Sequence, residues 1–177
     1  GGGRGVAGGS GGGVVGDGCG GGGGARAGGA ALSGKRDGKG KGSGAFSGDG
    51  ACNQGTTFEA MNLAVVLKVP AVFVFENNHY SEHTGADYAV GTAKAIASRA
   101  EAFAMRAWRP AGCDFVSTFD AMRALLDFVR CGCAPSALAR DPHRFSGHFE
   151  RAPHPLPSSA DQNGSAAPKL AYAHPVI

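Results

Sequence analysis

Two kinds of apolar pattern alternate through the middle of the chain. From Thr56 to Lys68, the residues Phe58, Ala60, Met61, Leu63, Val65 and Leu67 cover most sides of a helical wheel, and Thr56 and Glu59 have capping-box spacing, which predicts a buried helix. Pro70 stops it and can open a strand, where its missing N–H does no harm. Ala71-Val72-Phe73-Val74-Phe75 then runs without alternation, the pattern of a strand covered on both faces. Residues 84–92 carry Gly85, Gly91 and polar groups and predict an exposed loop. Ile96, Ala100, Phe103, Ala104 and Ala107 recur at helical spacing, so Ala93 to Trp108 reads as a second helix with Arg99, Glu101 and Arg106 outward. Asp114-Phe115-Val116 reads as a short strand. Ser117 and Asp120 then cap a third helix through Met122, Leu125, Leu126 and Val129, which Gly132 and Pro135 end before a weak strand at Ser136-Ala137-Leu138-Ala139. Strand and helix in alternation predict an α/β fold: a parallel sheet with helices on both faces and right-handed crossovers.

Composition divides the chain. Of its 32 glycines, 25 fall in residues 1–50, so residues 1–44 predict a poorly ordered or remnant segment: ordering glycine costs the most backbone entropy, and few side chains are there to bury. Within it, Val14-Val15-Gly16-Asp17-Gly18 resembles a glycine turn and Ala30 to Lys35 a small-residue helix leading to a basic loop. Ala45-Phe46-Ser47 reads as the tail of a strand. Residues 45–150 form the expected domain, and residues 151–177, rich in Pro, Ser and Ala, an irregular tail.

Charge and cysteine content narrow the partners. A net charge of +3, with Lys35, Arg36, Lys39 and Lys41 among glycines and without interleaved aromatics, argues against nucleic acid. The five cysteines are odd in number, and the close pair Cys131 and Cys133 suits neither a zinc knuckle nor a thioredoxin-type site, so free thiols in a reducing compartment are expected. With no run long enough to span a bilayer and no signal-peptide core, the expectation is a soluble cytoplasmic protein without a membrane partner.

The chemistry gathers at two turns. Gly48-Asp49-Gly50-Ala51 feeds the first helix, and Asn77-Asn78-His79-Tyr80 follows the strand after it, so both fall on one rim of a parallel sheet, where ligands bind. A carboxylate at Asp49 and an amide oxygen at Asn78 are hard donors that suit Mg²⁺ or Ca²⁺ rather than zinc, and Mg²⁺ prefers few protein ligands plus phosphate oxygens. Gly48 and Gly50 let the backbone approach a phosphate beside a helix N-terminus. The predicted ligand is a Mg²⁺-diphosphate.

The 29 positions from Asp49 to Asn78 carry a resemblance. A motif that begins Gly-Asp-Gly and ends Asn-Asn about thirty residues later resembles that of the thiamine-diphosphate family. The runs from Gly48 to Ala64 and from Val74 to Tyr80 look like the alpha subunit of the 2-oxo acid and acetoin dehydrogenases, and the likeness extends over roughly residues 28–150. It implies a partial thiamine-diphosphate-binding fold in which Asp49, the Asn78 side chain and the Tyr80 carbonyl hold Mg²⁺. It further implies that Gly48, Gly50, Ala51 and His148 meet the diphosphate, with His148 also the catalytic candidate and Arg144 steadying its loop. The aminopyrimidine contact stays open between Val14-Val15-Gly16 and Gly18-Cys19-Gly20. A small oxo substrate, pyruvate-type or acetoin, would be cleaved and its acyl group passed to lipoyl on an acyltransferase. The activating acid is expected on a beta subunit, in a heterotetramer. The Tyr80 to Thr84 stretch leans towards the acetoin type.

Other readings stand beside this one. Family members are nearly twice this length, so a non-catalytic truncated remnant is the alternative. His79, Glu82 and His83 spell an inverted zincin pattern, which predicts a zinc hydrolase only if the segment is helical. Cys52 reads as a small buried residue rather than a nucleophile.

Overall fold

The central strand is the one whose apolar run lacks alternation. The computed structural model describes residues 13–16, 22–81, 84–91, 95–111, 113–132 and 134–142. Five parallel strands, β1 (Gly13–Gly16), β2 (Ser43–Gly48), β3 (Ala71–Glu76), β6 (Arg106–Trp108) and β7 (Ser136–Arg140), form one sheet in the order β1-β2-β3-β7-β6. A two-stranded antiparallel hairpin, β4 (Tyr80–Ser81) and β5 (Thr84–Gly85), stands apart from it. The helices are α1 (Gly22–Asp37), α2 (Gly55–Leu67), α3 (Ala86–Ala89), α4 (Ala97–Glu101) and α5 (Phe115–Arg130), with a 3-10 turn at Ala51–Asn53.

The two faces of β3 divide the core. Ala71, Phe73 and Phe75 are buried with Ala27 and Ala31 of α1, Ala60, Met61 and Ala64 of α2, and Ala97 and Ala100 of α4. Val72 and Val74 are buried on the other face with Leu125 and Val129 of α5 and Leu138 of β7, and Trp108 packs against them. Connection hand accounts for this split. From β1 to β2 to β3 the chain steps one way across the sheet, whereas from β6 to β7 it steps back, so right-handed crossovers put α5 opposite α1 and α2. Helices on both faces of a parallel sheet are what the pattern predicts.

Within the glycine-dense segment, residues 13–16 form β1, which pairs with β2 in parallel register, and residues 22–37 form α1. Six glycines in α1 cost about 1 kcal/mol each against alanine, so isolation would not support this helix. Packing does, because small residues let α1 approach closely: a Cβ on Gly24 would lie 3.0 Å from Ala60 Cβ, and one on Gly34 2.9 Å from Lys41 O. The Ser43 hydroxyl adds a hydrogen bond to Ala27 O, and Lys35 Nζ donates to Leu67 O at 2.8 Å. The sheet thus begins before residue 45.

Several local expectations are corrected. The Thr56–Glu59 box does not start α2; Gln54 precedes the helix, and Thr57 Oγ1 bonds Ala51 O at 3.0 Å. Nor is α2 buried all round, since Leu63 is 56% and Val66 66% exposed. The predicted helix to Trp108 stops early: Ala104 takes φ 59°, Ala104 N–H bonds Glu101 O and Met105 N–H bonds Ala100 O, and Arg106–Trp108 turns into an edge strand beside β7. That bond pair is a Schellman closure, found again at Lys68, φ 48°, where α2 ends. Asp114 is a helix cap rather than part of a strand, its Oδ1 accepting from Val116 N–H at 2.9 Å. Among the described cysteines, Cys52 and Cys113 are outside any disulfide as expected, whereas Cys131 is engaged in one. Among the described residues no helix is long and apolar enough to cross a membrane.

Candidate functional site

Register brings the two turns together. Gly48 pairs with Glu76 where β2 and β3 end, so Asp49 and Asn77 leave adjacent strands at one rim. Asp49 is 2% exposed, and its Oδ2 is buried and accepts no hydrogen bond among the described residues. The chain then enters the 3-10 turn through Gly50, whose φ of −64° suits any residue. What excludes a side chain there is the opposite turn: a Cβ on Gly50 would lie 2.5 Å from Ser81 Cβ and overlap its hydroxyl. Gly48 has no such constraint, since a Cβ there would meet only Glu76 O at 3.9 Å.

The second turn is built by its two asparagines in different ways. Asn77, 1% exposed, donates from Nδ2 to Asp141 Oδ1 at 2.9 Å and from its backbone to Arg140 O at 2.9 Å, tying the end of β3 to the end of β7. Asn78 accepts Tyr80 N–H on Oδ1 at 3.0 Å, an Asx turn that fixes its side chain and leaves the amide oxygen a second lone pair. His79 sits between them at φ 66°. Its carbonyl accepts Ala86 N–H at 2.8 Å, which seats α3 after the hairpin.

Around the first turn lies a layer the sequence did not point to. Arg99 of α4 donates Nη1 to Cys52 O at 2.7 Å and Nη2 to Asn53 Oδ1 at 3.0 Å, with its guanidinium 5.3 Å from the Phe58 ring centre. Asn53 Nδ2 reaches Ala89 O at 2.9 Å. A helical stripe placed Arg99 outward, and no spacing rule links it to a turn nearly fifty residues earlier. Cys52 behaves as expected of a buried residue: burial pushes its thiol up to about 12, against the pull of Arg99 and with a smaller push from Asp49.

Of the candidates, Gly48, Asp49, Gly50, Ala51, Asn78 and Tyr80 meet at this rim, whereas Arg144 and His148 lie outside the described residues. Of the two aminopyrimidine candidates, Val14-Val15-Gly16 belongs to β1, which runs parallel to β2, and Gly18-Cys19-Gly20 lies outside the described residues. A carboxylate and an amide oxygen on adjacent strand ends are hard donors and could accept Mg²⁺ completed by phosphate oxygens. Among the described residues no group of three or more His, Cys, Asp and Glu gathers as a metal centre. The zincin pattern lacks its helix, because Tyr80–Ser81 is a strand paired with Thr84–Gly85; Glu82 and His83 lie outside the described residues.

Known proteins resemble this chain over the same region. Residues 18–156 match the family model described as dehydrogenase E1 component. The alpha subunit of an acetoin:2,6-dichlorophenolindophenol oxidoreductase from Cupriavidus necator is 42% identical over 121 residues, 68% of this chain and 36% of the relative. Its counterpart from Bacillus subtilis is 39% identical over 68% of this chain and 36% of its own. A pyruvate dehydrogenase E1 component subunit alpha from Rickettsia bellii is 32% identical over 67% of this chain and 36% of its own. The chain thus spans about a third of the length of these curated relatives. Among solved structures, a transketolase from Pichia stipitis has a TM-score of 0.49 at 19% identity, over 69% of this chain and 18% of that one. With most of its length matched by the family model, the chain belongs to the dehydrogenase E1 component family.

Proposed function

We propose that this chain carries the cofactor-holding part of an alpha subunit of a thiamine-diphosphate-dependent dehydrogenase, acting on acetoin or a 2-oxo acid together with a beta subunit. The observation that carries the reading is the meeting of Asp49 and Asn78 at the ends of paired strands, with Gly50 packed on Ser81 between them. Asp49, the Asn78 amide oxygen and the Tyr80 carbonyl hold Mg²⁺. Gly48, Gly50 and Ala51 lie along the diphosphate, with Arg144 and His148 completing it from the segment that follows β7. Burial of Asp49 strengthens its attraction for a cation, because little water screens it. The Asx turn holds the Asn78 oxygen in place before the metal arrives, which lowers the ordering cost of binding.

Thiamine diphosphate, when bound, supplies a carbanion for addition to a carbonyl and a sink for the electrons of the carbon–carbon bond that breaks. The residues of this chain anchor and orient it. The acid that activates the aminopyrimidine comes from the beta subunit, and a lipoyl-bearing acyltransferase takes the acyl product. The relatives support acetoin over pyruvate, with identities of 42% and 39% for the acetoin type against 30% to 35% for the pyruvate type.

Calorimetric titration of thiamine diphosphate with Mg²⁺ tests this reading on the full chain and on Asp49→Ala. Magnesium-dependent heat from the parent, lost in Asp49→Ala, is expected. Absence of heat from the intact chain, alone and with its beta subunit, rules the cofactor reading out in favour of a non-catalytic remnant.

A further inference from the structure

The turn that carries Asp49 is held from outside by two side chains. Arg99 reaches it with both arms of its fork, Nη1 to Cys52 O at 2.7 Å and Nη2 to Asn53 Oδ1 at 3.0 Å. Ile96, Ala97 and Ala100, all at most 3% exposed, fix the helix that projects it. The Phe58 ring, 5.3 Å below the guanidinium, limits its remaining freedom. Asn53 extends the tie in the other direction, donating Nδ2 to Ala89 O at 2.9 Å. Ala89 closes α3, whose first residue bonds His79 O at 2.8 Å within the Asn78 turn.

The bonds therefore form a circuit. From Asp49 the chain passes through Gly50 to Cys52 and Asn53, across to Ala89, back along α3 to His79 and the Asn78 turn, and returns by the contact of Ser81 with Gly50. Arg99 locks the circuit at Asn53. We infer that Arg99 and Asn53 are positioning residues, a latch that sets the Asp49 turn against the Asn78 turn without touching metal or cofactor. The inference rests on the reading of that rim as a Mg²⁺-diphosphate site. The geometry suits arginine alone, because two acceptors in different directions need a planar fork, and the point donor of lysine serves one of them.

The test uses the full chain in four forms: parent, Arg99→Gln, Arg99→Lys and Asn53→Ala. Hydrogen exchange is read without cofactor in the segment Gly50 to Gln54 and, as a control for unfolding, in β3. Magnesium-dependent thiamine diphosphate affinity is read by calorimetry. In Arg99→Gln and Asn53→Ala, exchange in the turn is expected to rise at least tenfold with β3 unchanged, and affinity to fall at least fivefold. Arg99→Lys recovers part of both. Turn exchange within twofold of the parent in Asn53→Ala overturns the latch, and so does unchanged affinity in a parent that binds. Asn53 is exposed, so if Arg99→Gln loses protection in β3 as well, Asn53→Ala decides. A parent that binds no cofactor defeats the functional reading instead, and the exchange arm still judges the latch.

Discussion

Gly50 and Ser81, thirty-one positions apart, are packed so closely that a methyl group on the first would lie 2.5 Å from the Cβ of the second. That contact joins the two halves of the rim and makes a compensation experiment possible. Gly50→Ala is expected to cost about 1–3 kcal/mol, the usual range for overpacking. Ser81→Gly removes the obstructing atoms and should recover most of that loss in the double variant. Chemical denaturation of the four forms checks it; equal loss in single and double variants would show that the clash lies elsewhere.

Two helices close on residues poorly suited to the task. Ala104 and Lys68 both hold positive φ in Schellman closures, a position where glycine is favoured because a Cβ there is strained. Ala104→Gly and Lys68→Gly should each raise stability by about 0.5–1 kcal/mol, visible as a higher denaturation midpoint with unchanged slope.

The glycines of α1 are not equivalent. A Cβ on Gly28 or Gly29 would meet nothing within 4 Å, whereas one on Gly24 would press on Ala60 and Phe73 at 3.0 and 3.3 Å. Gly28→Ala and Gly29→Ala should stabilise the protein by roughly 0.5–1 kcal/mol each through helix propensity. Gly24→Ala should destabilise it, since α1 must then withdraw from the core. Thermal unfolding of the three variants distinguishes the cases by sign.

Cys52 should be slow to react. With its thiol pushed up to about 12 by burial, its thiolate fraction at pH 8 is on the order of one in ten thousand, so iodoacetamide should label exposed Cys113 first. The sign of the linkage follows from the raised value. The unfolded thiol ionises near 9 and the folded one near 12, so its contribution is fully present below pH 9 and is lost as pH rises towards 12. Comparing alkaline unfolding of the parent with Cys52→Ala measures it; parallel curves above pH 9 would refute the assignment.

The parts of the fold legible in the chain were those whose patterns have one solution. Val72 to Phe75 are apolar without alternation, and a strand buried on both faces satisfies them. The spacing of Asp49 and Asn78 placed both at strand ends, where β2 and β3 carry them. Ile96, Ala100, Phe103 and Ala107 also fit one helical stripe, yet the helix breaks at Ala104, because pairing of Arg106–Trp108 with β7 outweighs local propensity and no glycine marks the break. Asp114 carried a capping signal that the neighbouring Ser117 and Asp120 obscured. Arg99 could not be found at all: its partners are a backbone carbonyl and an asparagine that tertiary packing brings to it.

The placement of β7 between β3 and β6 has a kinetic consequence. Val72 finds its partner Ser136 only after 64 further residues have been made, so during synthesis β3 waits with one edge bare. Its run of valine and phenylalanine is the kind of segment that pairs wrongly when left open. Loop closure over that span must come before the pairing rewards it, which predicts that β7 joins the sheet late in assembly. A nascent chain that ends before Ser136 leaves its most apolar strand half-paired, and chaperone holding of that interval would govern how much of this protein reaches its native form.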